Sequence, residues 1–159
     1  MQLIVATDRT WGIGYQNELL IHISADLKRF KTLTTGHTVV LGHKTLKTFP
    51  GGRPLPNRRN IIMSTNRDFT CDGAEVCHSV AEAVALAPQD AFVIGGASVY
   101  TMMLPYCDKA YVTQVDADFT ADCYFPSLDA NPCWAAETVG EWLEEKNVRF
   151  RYVNYIRRK

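Results

Sequence analysis

Apolar positions in this chain fall into two rhythms that alternate along its length. Leu3–Thr7 and Thr38–Leu41 are unbroken apolar runs of strand length, as expected for strands covered on both faces. Asn60–Met63, Ala91–Ile94 and Ala110–Val115 read the same way, Glu75–Cys77 more weakly, and Val148–Ile156 alternates like an antiparallel edge strand. Helical spacing appears between these runs. Ser24 is a good N-cap residue, and Asp26, Leu27, Phe30 and Lys31 follow it on a helix that ends near Gly36. A short helix opens at Gly42-His43-Lys44-Thr45. Ser79-Val80-Ala81-Glu82 has capping-box spacing and starts a helix that stops before Pro88, and another helix spans about Ala97 to Leu104 before Pro105.

Strands alternating with helices predict an α/β fold over residues 1–159. The expected form is a single-domain three-layer α-β-α arrangement with a mainly parallel central sheet and an antiparallel C-terminal edge strand. Ligands in such folds lie outside the carboxyl ends of the strands. Thr7, Gly42–Thr45, Ser64–Asn66, Gly95–Gly96 and Thr113 therefore share one rim.

Composition narrows the function classes. Net charge is zero and the sequence pI is about 6.9, so nothing in the total charge suggests nucleic acid or an anionic membrane. The tail Arg157-Arg158-Lys159 reads as a solvated end. The opening segment has no basic n-region and too brief an apolar run for a signal peptide, and no stretch approaches a bilayer-crossing length. The cysteines (Cys71, Cys77, Cys107, Cys123, Cys133) are odd in number and form no CxxC pair, and the histidines show no metal-ligand spacing. A reduced, cytoplasmic, metal-free protein is expected.

One acid stands on the apolar face of the first helix. Asp26 falls in the first turn, where the helix dipole favours negative charge, and shares a face with Phe30 at i+4. Upstream runs the loop Trp11-Gly12-Ile13-Gly14-Tyr15-Gln16-Asn17-Glu18, ending in Leu19-Leu20-Ile21. A carboxylate under an aromatic ring and a mobile apolar loop suits a flat heterocycle with adjacent N–H donors, although an acid at this position commonly only complements the dipole. Gly95-Gly96, between strand and helix, lets backbone N–H groups approach a diphosphate; by itself such a pair is often a tight turn. Gly42-His43-Lys44-Thr45 and Ser64-Thr65-Asn66-Arg67 add hydroxyls and cations at two more strand ends. Together they point to an extended phosphate-bearing cofactor, while the missing Walker lysine motif counts against phosphoryl transfer. Arg58 follows the rigid Pro54-Leu55-Pro56-Asn57 segment, which suits bidentate recognition of a carboxylate. No GxSxG and no convincing Cys/His pair speak for triad hydrolysis.

The blocks Ile13-Gly14, Asp26-Leu27, Phe30-Lys31, Thr34-Thr35-Gly36, Gly42, Thr45, Arg58, Asn60-Ile61-Ile62, Val93-Ile94-Gly95-Gly96, Tyr100, Thr113, Asp122 and Phe125-Pro126 occur in an order and spacing that resembles dihydrofolate reductase from Leu3 to about Tyr155. The resemblance implies a monomeric NADPH-dependent enzyme that reduces dihydrofolate. It implies that Asp26 accepts from the pterin 2-amino group and N3–H, with Thr113 orienting it. Val5, Leu27, Phe30, Leu55 and Ile94 would line the pterin and benzoyl slot, and Arg58 would pair with the glutamate tail. Leu19 and Ile21 would stand with Asp26 and Thr113 in the catalytic set. Ala6, Ile13, Gly14, Leu19 and Ile94 would face the nicotinamide side. Gly42, His43, Lys44, Thr45, Ser64, Thr65, Asn66, Gly95, Gly96, Ala97, Ser98, Val99 and Tyr100 would carry the rest of the cofactor.

The chain departs from the family pattern in three places. Leu20-Ile21 replace a usual Pro-Trp, so an indole donor is missing beside the pterin. His43 stands for a usual arginine at the 2′-phosphate. Ala121 stands for a usual glycine in a loop thought to support closure of the first one. Two rivals remain: a pyrimidine reductase of riboflavin synthesis with the same fold, disfavoured by Arg58 and the Asp26–Phe30 pair, and a catalytically silent nucleotide-binding module, disfavoured by Asp26, Thr113 and both glycines.

Overall fold

A computed structural model describes residues 1–16 and 18–158; Asn17 of the first loop and Lys159 of the tail lie outside the described residues. Strands are β1 (Gln2–Thr7), β2 (Gly12–Tyr15), β3 (Glu18–Leu19), β4 (Thr38–Gly42), β5 (Arg59–Met63), β6 (Ala74–Cys77), β7 (Phe92–Gly95), β8 (Lys109–Val115), β9 (Cys123–Tyr124), β10 (Trp134–Val139), β11 (Leu143–Glu145) and β12 (Val148–Arg157). The helices are α1 (Ser24–Thr34), α2 (His43–Leu46), α3 (Val80–Leu86) and α4 (Ala97–Met103).

The main sheet runs β10-β12-β8-β1-β7-β4-β5-β6, with β11 on β12. From β8 to β6 every neighbouring pair is parallel. Alternate residues of the buried strands serve opposite faces, as the pleat requires. Ile4, Val39, Leu41, Ile62 and Phe92 pack with Leu46 of α2 and with Phe30 and Leu33 of α1. Leu3, Val5, Val40, Ile61 and Val93 pack with Ala83 of α3 and with Val99, Tyr100 and Met103 of α4. The three expected layers follow directly from this division.

The C-terminal strand is antiparallel, as its alternation predicts, but it is not the edge. β12 lies between β8 and β10, and β10 is the outer strand. Its one-sided pattern misleads because β10 is itself largely exposed, leaving the β12 positions beyond it only half covered. The short strands β2, β3 and β9 form a separate small sheet that periodicity did not reveal, since a strand of two to four residues carries no period.

Two caps show how local chemistry sets the helix starts. Ser79 accepts from the Glu82 N–H at 3.1 Å, and the Glu82 carboxylate accepts from the His78 N–H at 3.0 Å, so α3 begins where its capping box predicts. For α1 the expected Ser24 cap is displaced. Ile23 occupies the N-cap position, and the first N–H groups are taken by Glu145 of β11: Ser24 N–H at 2.7 Å and Ala25 N–H at 3.2 Å. A carboxylate from a distant hairpin does the serine's work, with charge that suits the dipole better.

Candidate functional site

Thr113 sits beside Ala6 in the β1–β8 register and is buried, which fixes the direction of its hydroxyl. That hydroxyl donates to the Asp26 carboxylate at 2.5 Å, joining the first turn of α1 to the sheet. Burial pushes the Asp26 carboxyl above its ordinary value, while the Thr113 hydrogen bond and the Arg29 charge pull it back. Phe30, Leu55 and Ile94 share one half-buried cluster with Phe49, so three of the expected slot residues come together. Leu27, next to Asp26 on α1, is 53% exposed, and Leu19 of β3 is 58% exposed, both leaving apolar surface open. Val5 and Ile13 are instead core residues. Phe49 escaped sequence reasoning because it follows a short helix in a segment with no period of its own.

Ile21 is buried against Ile23, Val115 and Phe150 rather than open to the slot. The site of the missing indole is therefore filled. Ile21→Trp is expected to overpack this cluster, destabilising the protein by about 1–3 kcal/mol and weakening pterin binding. Thermal unfolding and a dihydrofolate titration check this; tighter binding in a fully stable variant would show that room for the indole remains. His22 hydrogen-bonds the Leu19 carbonyl at 3.1 Å and is exposed.

The loop over the site is tied down by two acids. Buried Asp8 accepts from the Thr10 N–H and hydroxyl and from the Gly12 N–H with one oxygen, and from the Phe119 N–H at 2.9 Å with the other. Burial alone would raise its pKa; these bonds together hold it below the ordinary value. Asp122 accepts from the Gln16 N–H at 3.0 Å, and β2 pairs with β9. The Ala121 departure is matched here. A Cβ on Gly12 would lie 2.8 Å from the Ala121 Cβ, so the extra methyl occupies space that Gly12 leaves. Asp8 carried no sequence signal, since a buried acid and a surface acid look alike in a polar loop.

The two glycine turns converge. A Cβ on Gly42 would meet the Val99 side chain at 3.0 Å with Gly95 O and Gly96 N close behind, and one on Gly96 would meet the Thr45 hydroxyl at 3.3 Å. Gly95 has φ of 123°, and its added Cβ would press on the Tyr100 ring. Val99 and Tyr100 themselves point into the core, Tyr100 donating to the Ile4 carbonyl at 2.7 Å; burial keeps its phenol protonated. Ser98 is exposed, and Ala97 is half-buried. Across the rim, Ser64 is buried between two imidazoles, with His43 Nδ1 at 3.2 Å from its hydroxyl and His78 Nδ1 at 2.9 Å from its carbonyl. His43 also stacks on Phe69, ring centroids 3.7 Å apart. Lys44, Thr65 and Asn66 are exposed beside them.

Arg58 is anchored on the opposite side. Its Nε donates to the Pro56 carbonyl at 2.9 Å and its Nη1 to the Thr34 hydroxyl at 3.1 Å. Asn60, which is buried, braces the loop by exchanging hydrogen bonds with the Leu55 backbone. Arg59 is committed elsewhere, to Glu75. A surface cavity of about 320 Å³ is lined by Arg59, Asn60 and Glu75, and one of about 260 Å³ by Asp8, Trp11 and Arg151; neither is lined by Asp26.

A family model described as dihydrofolate reductase matches residues 1–157. The chain is 35% identical to a dihydrofolate reductase of Staphylococcus aureus, covering 100% of this chain and 99% of that one. It is 34% identical to one from Staphylococcus haemolyticus, covering 98% and 93%. Among solved structures it is similar to dihydrofolate reductase from Enterococcus faecalis complexed with NADP(H) and RAB-propyl, with a TM-score of 0.88, 34% identity and coverage of 99% and 96%.

Proposed function

The chain belongs to the dihydrofolate reductase family, and from that premise we propose how its residues divide the reaction. The protein reduces 7,8-dihydrofolate to 5,6,7,8-tetrahydrofolate with NADPH, serving one-carbon metabolism and thymidylate synthesis. The observation that supports the assignment of roles best is Asp26, a partly buried carboxylate oriented by Thr113 among apolar walls.

Asp26 accepts hydrogen bonds from the pterin 2-amino group and N3–H, and its charge favours protonation of N5 by water. Phe30, Leu55 and Ile94, with Leu27 at the mouth, hold the rings flat and exclude bulk water, so alignment supplies much of the rate. The residues present also fit the cofactor. Gly42, Gly95 and Gly96 bring bare backbone together at the strand ends, where added Cβ atoms would strike Val99, the Tyr100 ring and the Thr45 hydroxyl, and Thr45 and Ser64 set hydroxyls beside it. There they would hold NADPH, whose nicotinamide would supply the hydride for pterin C6. Ala6, Gly14 and Leu19 would border the nicotinamide side, and His43, Lys44, Thr65, Asn66, Ala97 and Ser98 the rest. Loss of the nicotinamide absorbance band with and without dihydrofolate tests the reading; oxidation of NADPH that ignores dihydrofolate would overturn it.

The chain works as a monomer in the cytoplasm, which a sedimentation measurement and fractionation would check. Among the described residues no helix is long and apolar enough to cross a membrane.

His43 motivates a cofactor test. An imidazole stands where a fixed cation is usual, held at the Ser64 hydroxyl and stacked on Phe69, so His43→Arg is expected to strengthen the preference for NADPH over NADH several-fold. Dissociation constants for both cofactors check this; a preference unchanged by the substitution would assign 2′-phosphate recognition to Lys44 and Arg67 instead.

A further inference from the structure

Arg29 lies one helical turn beyond Asp26, on the same side of α1. Its guanidinium carbon is 3.9 Å from the centre of the Tyr152 ring and 5.8 Å from that of Tyr111. Nη1 is buried and has no hydrogen-bond partner, and Arg29 forms no ion pair within 4.0 Å, among the described residues. A guanidinium taken partly out of water without a carboxylate clamp is costly. Stacking on the tyrosine face recovers part of that cost and fixes the cation in place with little remaining side-chain freedom. The nearby anion that gains from it is Asp26.

We propose that Arg29 is a positioning residue that acts through Asp26: pinned on Tyr152, it holds the carboxylate in the charged form that accepts from the pterin. The groups facing Asp26 support this division of labour. From β8 comes the Thr113 hydroxyl, which donates to it, while Tyr111 of the same strand lies near the Arg29 guanidinium instead. From α4 comes Tyr100, whose proton is committed to the Ile4 carbonyl. From β12 comes Tyr152, under the guanidinium. From β11 comes Glu145, an anion bound to the Ser24 and Ala25 N–H groups that opposes a second negative charge nearby. Lys28, on α1 itself, is exposed to solvent. Arg29 is thus the one partly buried cation among these groups, and its attraction to Asp26 works against the burial that favours the neutral acid.

The proposal rests on Asp26 being the pterin-binding carboxylate, but its test needs no substrate. In the full-length protein, the side-chain carboxyl carbon resonance of Asp26 is followed against pH by NMR and assigned by its loss in Asp26→Asn. Arg29→Met, which keeps the aliphatic stem, and Arg29→Gln, which keeps a polar end, are each expected to raise the titration midpoint by about one pH unit. Arg29→Lys, which keeps the charge, should restore most of the shift. If Arg29→Met does not fold, Arg29→Gln decides. An unchanged midpoint in the charge-removing variant would overturn the proposal, as would a lysine variant shifted as far as the glutamine one, since that would mark a packing effect. Failure to reduce dihydrofolate would overturn the assigned activity and leave this titration to be read on its own.

Discussion

Asp26→Asn is expected to lower turnover of dihydrofolate at neutral pH by about 10²–10⁴-fold while leaving NADPH affinity nearly unchanged. The substitution keeps size and the Thr113 contact, because an amide oxygen can accept from that hydroxyl as the carboxylate oxygen does at 2.5 Å. It removes the charge and turns one acceptor towards the pterin into a donor facing N–H groups. Part of the activity should return in acid, where substrate can arrive already protonated. Wild-type rates from the asparagine variant at neutral pH would sink the mechanism.

Stability separates this from simple misfolding. Burial raises the folded-state pKa of Asp26 above its unfolded value. The folded state therefore holds this proton more tightly, and its contribution is fully present below the unfolded pKa and lost as pH rises through the folded one. The neutral asparagine escapes that loss. It should unfold no lower than wild type at neutral pH, with its relative advantage shrinking in acid.

The sequence made the frame of the molecule legible because buried parallel strands have an unmistakable signature. Val39 to Leu41 and Ile61 to Met63 are apolar without interruption, and each residue is buried. Asp26 was legible for the opposite reason, a charge at a position where helical spacing demands an apolar face. What sequence could not show depends on partners far along the chain. Glu145 caps α1 across more than a hundred residues, and nothing near Ser24 signals that its own side chain is not the cap. Arg29 looks like any helix-surface arginine until β8 and β12 bring tyrosines beneath it. Ala121 reads as an isolated departure from a family pattern, and only the β2–β9 pairing sets it against Gly12. Ile21 reads as a missing donor, and only its packing on Val115 and Phe150 shows an occupied site.

Arg58→Leu is the second large effect expected, a tens-fold rise in the dissociation constant for dihydrofolate, or about 2 kcal/mol. Adjacent arginines make the assignment testable within one pair. Arg59 is closed on itself by contacts to both Glu75 oxygens, one at 3.0 Å, and by the Leu86 carbonyl at 3.1 Å. Arg58 is held by the Pro56 carbonyl and the Thr34 hydroxyl through Nε and Nη1, while Nη2 makes no hydrogen bond among the described residues. That is the disposition of a guanidinium oriented in advance for an incoming carboxylate. Burial pushes its pKa down from a very high value. A half-buried cation is the more strongly attracted to an anion for being less well hydrated. The loss should fall on binding of the glutamate-bearing substrate and spare NADPH, and a pterin lacking the glutamate tail should bind both forms alike. Arg59→Leu, cut from the same loop, should leave dihydrofolate affinity within about twofold. If Arg58→Leu weakens substrate and cofactor equally, or if Arg59→Leu costs as much, the tail is not recognised at Arg58.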